Sequence, residues 1–346
     1  MNEERTFGKK RTEPTEEAEW EMIARDDPLL SVRNLQTGFE TESGMIRAVD
    51  GVSFEIDSGE IVGLVGESGS GKSVTSLSIM QLLGSAGRIL GGGVEFDGEN
   101  LFAMSDEQIR ELRGDRMSMI FQEPASALNP VFNVGWQVGE PLRVHRDLSE
   151  AASRERAVEL MRDVGIPSPE TRVDDYPHQF SGGMQQRAMI AMALACDPDL
   201  LIADEPTTGL DVSIEAAILD LIRDLNASLG MAVLLITHDL SVVAQLCDRV
   251  AVMYAGRIVE YGPVERIFDE PRHPYTKGLL GSILDPRTKQ QSLSTIGGEP
   301  PDPQALPAGC HYFDRCPYAT EECESTDPRL REVGADHYSA CIWENP

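Results

Sequence analysis

One glycine-rich segment limits most strongly how this chain can fold. Its residues are Gly66, Glu67, Ser68, Gly69, Ser70, Gly71, Lys72 and Ser73, which fit the pattern G-x-x-x-x-G-K-[S/T]. The apolar run Ile61–Val65 precedes it and predicts a buried strand, and a helix is predicted from about Gly71 to Leu83. In such a unit, loop N–H groups and the helix N-terminus face phosphate oxygens. The segment therefore predicts a nucleotide site, with Lys72 on the terminal phosphates and Ser73 on Mg²⁺.

An acidic pair ends another buried run about 130 residues farther along the chain. Leu200–Ala203 predicts a strand, and Asp204 and Glu205 follow it directly. A carboxylate at the end of a strand suits the Mg²⁺ of a phosphate loop, and this role is assigned to Asp204. Glu205 is then the general base that polarises the attacking water. The alternative interpretation is an acid pair that caps the next turn.

Short apolar runs alternate with helical patterns from Leu29 onward, which favours an α/β fold with a mostly parallel sheet. Further strands are predicted at Met117–Phe121, Ala232–Ile236, Val250–Met253 and Ile258–Tyr261, with a long helix at about 211–229. The composition predicts a mobile acidic arm at 1–28, the α/β domain at 29–284 and a Cys-rich tail at 285–346. A helical subdomain is predicted within the domain at about 125–198. No apolar run or leader pattern predicts a membrane span or secretion, so a cytosolic chain is expected.

The charge of the chain excludes several classes of partner. Acidic residues number 58 against 30 basic ones, and the formal net charge is −28. Such a surface repels nucleic acid and anionic lipid headgroups, so no nucleic-acid partner is expected. The basic residues comprise five lysines and 25 arginines. A folded chain so acidic and so poor in lysine predicts an origin in a halophile, where concentrated salt screens self-repulsion.

Four further motifs complete a recognisable set. They are Phe180–Arg187 (FSGGMQQR), Phe121–Pro124 (FQEP), Gly209–Asp211 (GLD) and Thr237–Asp239 (THD). In this order they resemble the signature loop, Q-loop, D-loop and switch-histidine loop of ABC (ATP-binding cassette) ATPases. The resemblance covers about residues 29–284. It implies the P-loop NTPase cassette: a mostly parallel core sheet, an antiparallel β part and an inserted helical subdomain.

The resemblance assigns roles to residues outside the phosphate loop. In this family two cassettes meet head to tail, and each ATP lies between one phosphate loop and the partner's signature loop. Ser181, Gly182 and Gly183 would then form a second N–H cradle at the start of a helix. Gln122 would sense the γ-phosphate and Mg²⁺, and His238 would contact the γ-phosphate.

The aromatic residue that stacks on adenine in the family is not obvious in this chain. Ser43 lies near the expected place, and Phe39 is the nearest upstream aromatic. The sequence therefore leaves the residue that packs on adenine open.

Further similarities point to one branch of the ABC ATPase family. Met189–Ala195, Ala203–Thr208 and His273–Leu280 resemble the D-type ATPase of dipeptide and oligopeptide importers, and nickel importers share much of this pattern. The resemblance implies an ATP-hydrolysing subunit at the cytoplasmic face of the membrane. Its partners would be a sister ABC ATPase, two transmembrane permease subunits and, through them, an extracellular solute-binding protein. The segment Asn133–Arg146 is where a permease helix is expected to dock.

The six cysteines fall into two groups. Cys196 and Cys247 lie in apolar helical surroundings and are predicted to be buried. The other four cluster in the tail at Cys310, Cys316, Cys323 and Cys341. In a cytosolic chain this cluster favours a metal over disulfides. It resembles the C-terminal extension of peptide-importer ATPases, where four cysteines hold a [4Fe–4S] cluster; zinc and free thiols remain alternatives.

Two other functions compete with transport as interpretations of this sequence. A soluble ABC ATPase that acts on DNA or ribosomes, with the tail as a zinc module, would be expected to have basic patches or a second cassette in the same chain. A regulatory ATP sensor that does not hydrolyse would be expected to lack Glu205 or the signature loop. The sequence favours the transporter over both.

Overall fold

The computed structural model of this chain describes residues 25–42, 44–123, 127–282 and 296–343. By its internal contacts the chain divides into two compact units. The P-loop unit comprises the described residues up to Glu55, Val62–Phe102 and the described residues from Thr237 onward. The helical unit comprises Ile56–Ile61 and Ala103–Ile236.

The strands of the described residues, in chain order, are β1 (Leu30–Thr41), β2 (Gly44–Ile56), β3 (Ile61–Val65), β4 (Gly87–Phe96), β5 (Glu99–Asn100), β6 (Met117–Ile120), β7 (Leu200–Asp204), β8 (Ala232–Thr237), β9 (Arg249–Tyr254), β10 (Arg257–Pro263), β11 (Arg331–Gly334) and β12 (His337–Ser339). The α-helices are α1 (Lys72–Ile79), α2 (Asp106–Leu112), α3 (Val134–Val138), α4 (Glu140–His145), α5 (Glu150–Asp163), α6 (Pro169–Arg172), α7 (Gly182–Ala193), α8 (Val212–Leu229), α9 (Leu240–Leu246), α10 (Val264–Asp269), α11 (Pro274–Gly281) and α12 (Glu321–Ser325).

The P-loop unit contains two groups of strands. One is a sheet in the order β2-β1-β4-β5, in which β1 pairs antiparallel with β4. The other runs β11-β12-β10-β9-β3, with β3 parallel to β9 and the remaining neighbours antiparallel. The strand predicted before the glycine-rich segment is confirmed as β3, and all five of its residues are buried. The strands predicted at Val250–Met253 and Ile258–Tyr261 fall in β9 and β10, which pair antiparallel as a hairpin.

In the helical unit the strands run in the order β8-β7-β6, and each neighbouring pair is parallel. Every residue of β6, β7 and β8 is buried, as expected for parallel strands covered on both faces. The helices α3, α4 and α5 occupy the stretch in which the sequence predicts helical segments. The long helix α8 begins at the N-cap Asp211, whose side chain accepts a hydrogen bond from the N–H of Ile214.

The structure corrects the sequence prediction at two places. The helix after the phosphate loop ends at Ile79 rather than near Leu83, because Gln81 adopts a left-handed conformation with φ of 49°. The tail has more regular structure than its composition predicts, since β11 and β12 form a hairpin there. β12 also pairs with β10, so this hairpin continues the strand order of the P-loop unit.

Three buried tyrosines join the tail to the core of the P-loop unit. The ring centroid of Tyr254 on β9 lies 4.6 Å from that of Tyr275 on α11. Tyr312 of the tail lies 5.1 Å from the first ring and 5.4 Å from the second. Such aromatic clusters combine large apolar burial with favourable edge-to-face geometry. The tail therefore shares the hydrophobic core of this unit.

No helix among the described residues has both the length and the apolar character that crossing a bilayer requires.

Candidate functional site: the phosphate loop, the acidic strand end and the signature helix

The glycine-rich segment is the turn between β3 and α1 in the P-loop unit. Gly66 must be glycine because a Cβ there would lie 2.1 Å from the carbonyl oxygen of Met253. Gly71 has φ of 107°, and a Cβ on it would meet the carbonyl oxygen of Ala48 at 2.6 Å. The loop is thus packed closely against β2 and β9. Only residues without side chains fit at these two positions.

Lys72 is the first residue of α1 and is 95% buried, with 5% of its surface exposed. Its Nζ donates to the carbonyl oxygens of Gly66, at 2.8 Å, and Glu67, at 3.0 Å. A buried ammonium needs such partners because its desolvation is costly. The loop therefore curls around a cationic centre, an arrangement that suits an anionic ligand.

A cavity of about 630 Å³ opens beside this loop. Its lining includes loop residues 67–70, Arg47 of β2 and the proline-rich tail segment 299–303. The buried hydroxyl of Ser70 has no hydrogen-bond partner among the described residues. A buried polar atom left unpaired beside a cavity fits a site whose ligand supplies the missing partner. The loop, the lysine and this hydroxyl together can hold a phosphate chain.

The acidic pair lies at the carboxyl end of β7 in the helical unit. Asp204 is 5% exposed, and Glu205 follows it in a left-handed conformation with φ of 46°. A Glu205 carboxylate oxygen accepts hydrogen bonds from Gln122 Nε2 and Thr208 Oγ1, both at 2.9 Å. Gln122 follows the neighbouring parallel strand β6, so its pairing with β7 brings these side chains together. The strained backbone at Glu205 is typical of functional sites.

The signature segment lies at the start of α7, also in the helical unit. Ser181 is the N-cap, and its Oγ accepts a hydrogen bond from the N–H of Met184 at 3.4 Å. Ser181 and Gly182 are exposed, whereas Gly183 is buried. A Cβ on Gly183 would lie 3.0 Å from the side chain of Ile214 on α8, so this glycine permits close helix packing. The exposed N-terminus of a long helix is suited to an anion.

His238 directly follows β8 and belongs to the P-loop unit, where its side chain is exposed. Asp239 caps α9 by accepting a hydrogen bond from the N–H of Ser241 at 2.7 Å. Phe39 lies in β1 and is partly buried. Ser43, which the sequence places near the expected adenine aromatic, lies outside the described residues.

Two residues that sequence reasoning did not single out hold the phosphate loop. The N–H of Glu67 donates to Tyr275 Oη at 2.9 Å, and the Glu67 carboxylate accepts two hydrogen bonds from Arg315. Arg315 is 248 residues away in the sequence, so spacing carries no signal for the contact. Its place directly before Cys316, one of the four tail cysteines, is the one local hint.

The four tail cysteines line one small apolar cavity of about 20 Å³. Burial raises the pKa of Cys310 to about 12, that of Cys341 to about 12 and that of Cys316 to about 11. Across the described ranges, however, no group of three or more His, Cys, Asp or Glu side chains is arranged to hold a metal ion. The metal predicted from the sequence is therefore unsupported by the geometry, although the cysteines do share one cavity.

The other two cysteines are free. Cys196 is 2% exposed, and burial raises its pKa to about 11. Burial likewise raises the pKa of Cys247, which lies against β3 near Gly63. Cys196 is thus buried as predicted, whereas Cys247 is only partly buried.

Comparison with known families and proteins decides the assignment. A family described as "ABC transporter" matches residues 49–208, and one described as "Oligopeptide/dipeptide transporter, C-terminal region" matches 259–323. A probable peptide ABC transporter ATP-binding protein of Sinorhizobium fredii is 51% identical over 321 residues, covering 92% of this chain and 96% of that protein. The chain belongs to the ABC transporter ATP-binding proteins of peptide import. It is an ATP-hydrolysing subunit of such a transporter.

Other relatives agree with this membership. A putative peptide import ATP-binding protein of Brucella melitensis is 50% identical to this ABC ATPase over 330 residues, covering 92% of the chain and 98% of that protein. These organisms lend no support to the halophilic origin predicted from the charge.

Solved structures show the same cassette fold. A dimeric ATP-binding cassette bound to ADP and phosphate matches with a TM-score of 0.62 and 28% identity, covering 68% of this chain and 98% of its own. A subunit of a cbiONQ ABC transporter complex from Clostridium perfringens matches with a TM-score of 0.59 and 29% identity, covering 71% and 92%. The P-loop cassette predicted from the sequence is thus confirmed.

Proposed function

We propose that this chain binds Mg-ATP at the loop Gly66–Ser73 and couples its hydrolysis to uptake of dipeptides or oligopeptides. The observation that carries the proposal is the buried ammonium of Lys72, held by two loop carbonyls at the start of α1. In a chain with a net charge of −28, a polyanion needs such a local cationic centre. The unpaired hydroxyl of Ser70 supports the same placement.

The remaining roles follow the family pattern, residue by residue. Ser73, Asp204 and Gln122 would hold Mg²⁺, for which hydroxyl, carboxylate and amide oxygens are suitable ligands. Bound with ATP, this ion neutralises negative charge on the phosphate oxygens. Glu205 would accept a proton from the attacking water. The hydrogen bonds to its carboxylate from Gln122 and Thr208 support this, because they hold the base in one orientation.

Two further contacts to the γ-phosphate belong to the proposal. His238 would contact it within the chain, and the N–H groups of Ser181, Gly182 and Gly183 would contact the ATP held by a sister ATPase. The exposure of Ser181 and Gly182 supports this, since a partner can reach the start of α7. The strongly exposed Val212, at 82%, lies next to the D-loop and suits the same interface.

The coupling surface is proposed on the helical unit at Asn133–Arg146. Apolar side chains are exposed in and beside this segment, with Val131 at 70% and Val144 at 63%. Phe132 stacks on Trp136 with a centroid distance of 4.3 Å. Exposed apolar clusters of this kind suit a docking helix. The chain would thus sit peripherally at the cytoplasmic face, on two permease subunits served by an extracellular solute-binding protein.

A substitution of Lys72 tests the nucleotide site. The parent chain should bind Mg-ATP in calorimetry, and Lys72→Ala should weaken binding at least tenfold because the buried cation is lost. The matched control Lys277→Ala removes a lysine from α11, outside the loop, and should bind as the parent does. Absence of Mg-ATP binding by the parent chain would refute the proposal.

In the reconstituted transporter, labelled dipeptide rather than nickel should accumulate with ATP turnover; nickel uptake would identify the alternative substrate.

The Cys-rich tail at 285–346 is proposed to hold a [4Fe–4S] cluster, with Zn²⁺ as the alternative. Support comes from the shared cavity of Cys310, Cys316, Cys323 and Cys341, since four thiolates are the usual ligands of both groups. Iron, acid-labile sulfide and zinc should be assayed on protein purified without oxygen. Cys341→Ala should lose the bound metal, whereas Cys196→Ala, outside the cavity, should retain it. Parent protein with neither metal would refute the proposal.

From the charge of the chain alone, we propose that the organism it comes from has a cytosol with a high salt concentration. The excess of acids over bases, 58 against 30, supports it, and the relatives reported above do not.

A further inference from the structure

Glu67 is a loop residue whose backbone and side chain are both held by residues of other elements. Its N–H donates to Tyr275 Oη of α11 at 2.9 Å. Its carbonyl oxygen accepts from Lys72 Nζ at 3.0 Å. Its two carboxylate oxygens accept from Arg315 Nη1 at 2.7 Å and from Arg315 Nη2 at 3.0 Å. The position of Glu67 therefore helps to set the position of the lysine ammonium.

Arg315 is itself held firmly in the tail. Its side chain is only 5% exposed, whereas the Glu67 side chain is 29% exposed. Its Nε donates to the carbonyl oxygen of Gly297 at 2.9 Å, and its guanidinium lies 5.6 Å from the ring centroid of Tyr254. A planar guanidinium fixed in this way presents two parallel donors to a carboxylate. The hydrogen bonds to Glu67 raise the pKa of Arg315 further.

The charge of Glu67 poses a problem for the proposed ligand. The carboxylate belongs to the loop that would wrap a triphosphate, and it borders the cavity of about 630 Å³. An unpaired carboxylate at this position would repel the phosphates, because like charges in a poorly solvated site interact strongly. Arg315 supplies the opposite charge from the tail, through a contact with both oxygens.

We propose that Arg315 is a positioning residue for ATP: it neutralises the Glu67 carboxylate and fixes the loop carbonyl that orients Lys72. This inference rests on the proposed nucleotide site at Gly66–Ser73. It gives the tail a direct part in nucleotide affinity, whether or not the cysteines hold a metal. The competing explanation is that the ion pair only fastens the tail to the P-loop unit. In that case it contributes to stability and leaves affinity unchanged.

The two explanations differ in what a second substitution does. The full-length chain is titrated calorimetrically with Mg²⁺ and the non-hydrolysable analogue AMP-PNP. Arg315→Gln should weaken binding about tenfold, because it leaves the carboxylate unpaired. Arg315→Gln combined with Glu67→Gln should recover affinity to within about threefold of the parent, since the repulsion is gone. A purely structural pair would leave the affinity of Arg315→Gln at the parental value, so the second substitution would have nothing to restore.

Controls separate charge from folding. Arg315→Lys keeps the charge but cannot bond both oxygens equally, and should bind about threefold more weakly than the parent. Arg223→Gln on α8 removes an exposed arginine and should bind as the parent does. Thermal melting of each variant verifies that it is folded. If Arg315→Gln does not fold, the decision passes to Arg315→Lys, for which parental affinity would overturn the proposal.

The outcomes also separate this inference from the proposed function. No binding of Mg²⁺ and AMP-PNP by the parent chain refutes the nucleotide site, and the role of Arg315 with it. Parental binding that Arg315→Gln leaves within twofold overturns the inference alone. A double variant no better than Arg315→Gln overturns it as well.

Discussion

At the scale of single residues, the acidic strand end shows how local conformation prepares a side chain for chemistry. The backbone of Glu205 is left-handed, and its N–H donates to the carbonyl oxygen of Ile236 on β8 at 2.9 Å. Gln122 and Thr208 then hold the carboxylate from its own unit. A glutamate with φ of 46° is strained, and the surrounding hydrogen bonds offset that strain.

The first prediction concerns this carboxylate. Glu205→Gln keeps the shape and the hydrogen bond to Thr208 but removes the basic oxygen. Mg-ATP binding should be kept, and ATP turnover should fall at least about a hundredfold, as for loss of a general base. Phosphate release by the transporter complex measures the change, with Glu159→Gln on the exposed face of α5 as control. Unchanged hydrolysis would contradict the role of Glu205 as base.

At the scale of elements, the strands and helices around the motifs could be predicted because their signals are local. The run Ile61–Val65 is continuous and apolar, and β3 has the predicted bounds. The tail hairpin could not be predicted, since β11 contains Arg331 and Glu332 and its strand character depends on pairing. β11 pairs with β12, and β12 pairs with β10. These pairings stabilise β11 as a strand although its own residues do not favour one.

The same limit applies to the site. The loop motif and the acidic pair are recognisable from local spacing, whereas the contact between Arg315 and Glu67 joins residues 248 positions apart. No pattern in a single sequence reports such a pair. In the sequence Arg315 stands out only as the neighbour of Cys316, and folding alone brings it to the loop.

The cap of α11 leads to a prediction about pH. His273 is fully buried and neutral, since burial lowers its pKa from 6.5 to about 4. Its Nδ1 accepts a hydrogen bond from the N–H of Tyr275, the residue whose hydroxyl holds Glu67. The imidazole of His273 binds a proton more readily in the unfolded chain than in the folded one. The stability that the folded chain has with this histidine neutral is therefore fully present above pH 6.5 and is lost as pH falls toward 4. The loss amounts to about 3 kcal/mol over that window.

His273→Asn tests this assignment, because asparagine can still cap the helix but does not titrate. Melting temperatures of the parent and the variant should be compared at pH 7 and pH 4.5. The parent should lose more stability on acidification than the variant does. Equal losses would show that His273 does not titrate as the structure indicates.

At the scale of the whole molecule, the main electrostatic feature is the net charge of −28. With 58 acidic and 30 basic residues, at least 28 acids, nearly half of those in the chain, cannot have a basic partner of their own. Many described ion pairs join exposed residues close in the chain, such as Arg223 with Asp220, and pairs of this kind add little stability. Long-range repulsion among the acids is therefore left to the solvent to screen.

We expect salt to stabilise this chain. Raising KCl from 0.1 M to 1 M shortens the screening length from about 10 Å to about 3 Å and should raise the melting temperature. Sucrose at matched osmolarity serves as the control, because it is excluded from the surface without screening charge. A melting temperature that falls or stays constant in KCl would contradict both this expectation and the proposed high-salt origin.

The pairing of β12 with β10 has a consequence for protein engineering. A chimera that exchanges the tail between importer ATPases at the end of α11 would leave β10 facing a foreign neighbour strand. The same exchange would replace Arg315, whose positive charge pairs with the glutamate of the phosphate loop. A graft should therefore carry β9, β10 and the loop glutamate together, as one transferable piece.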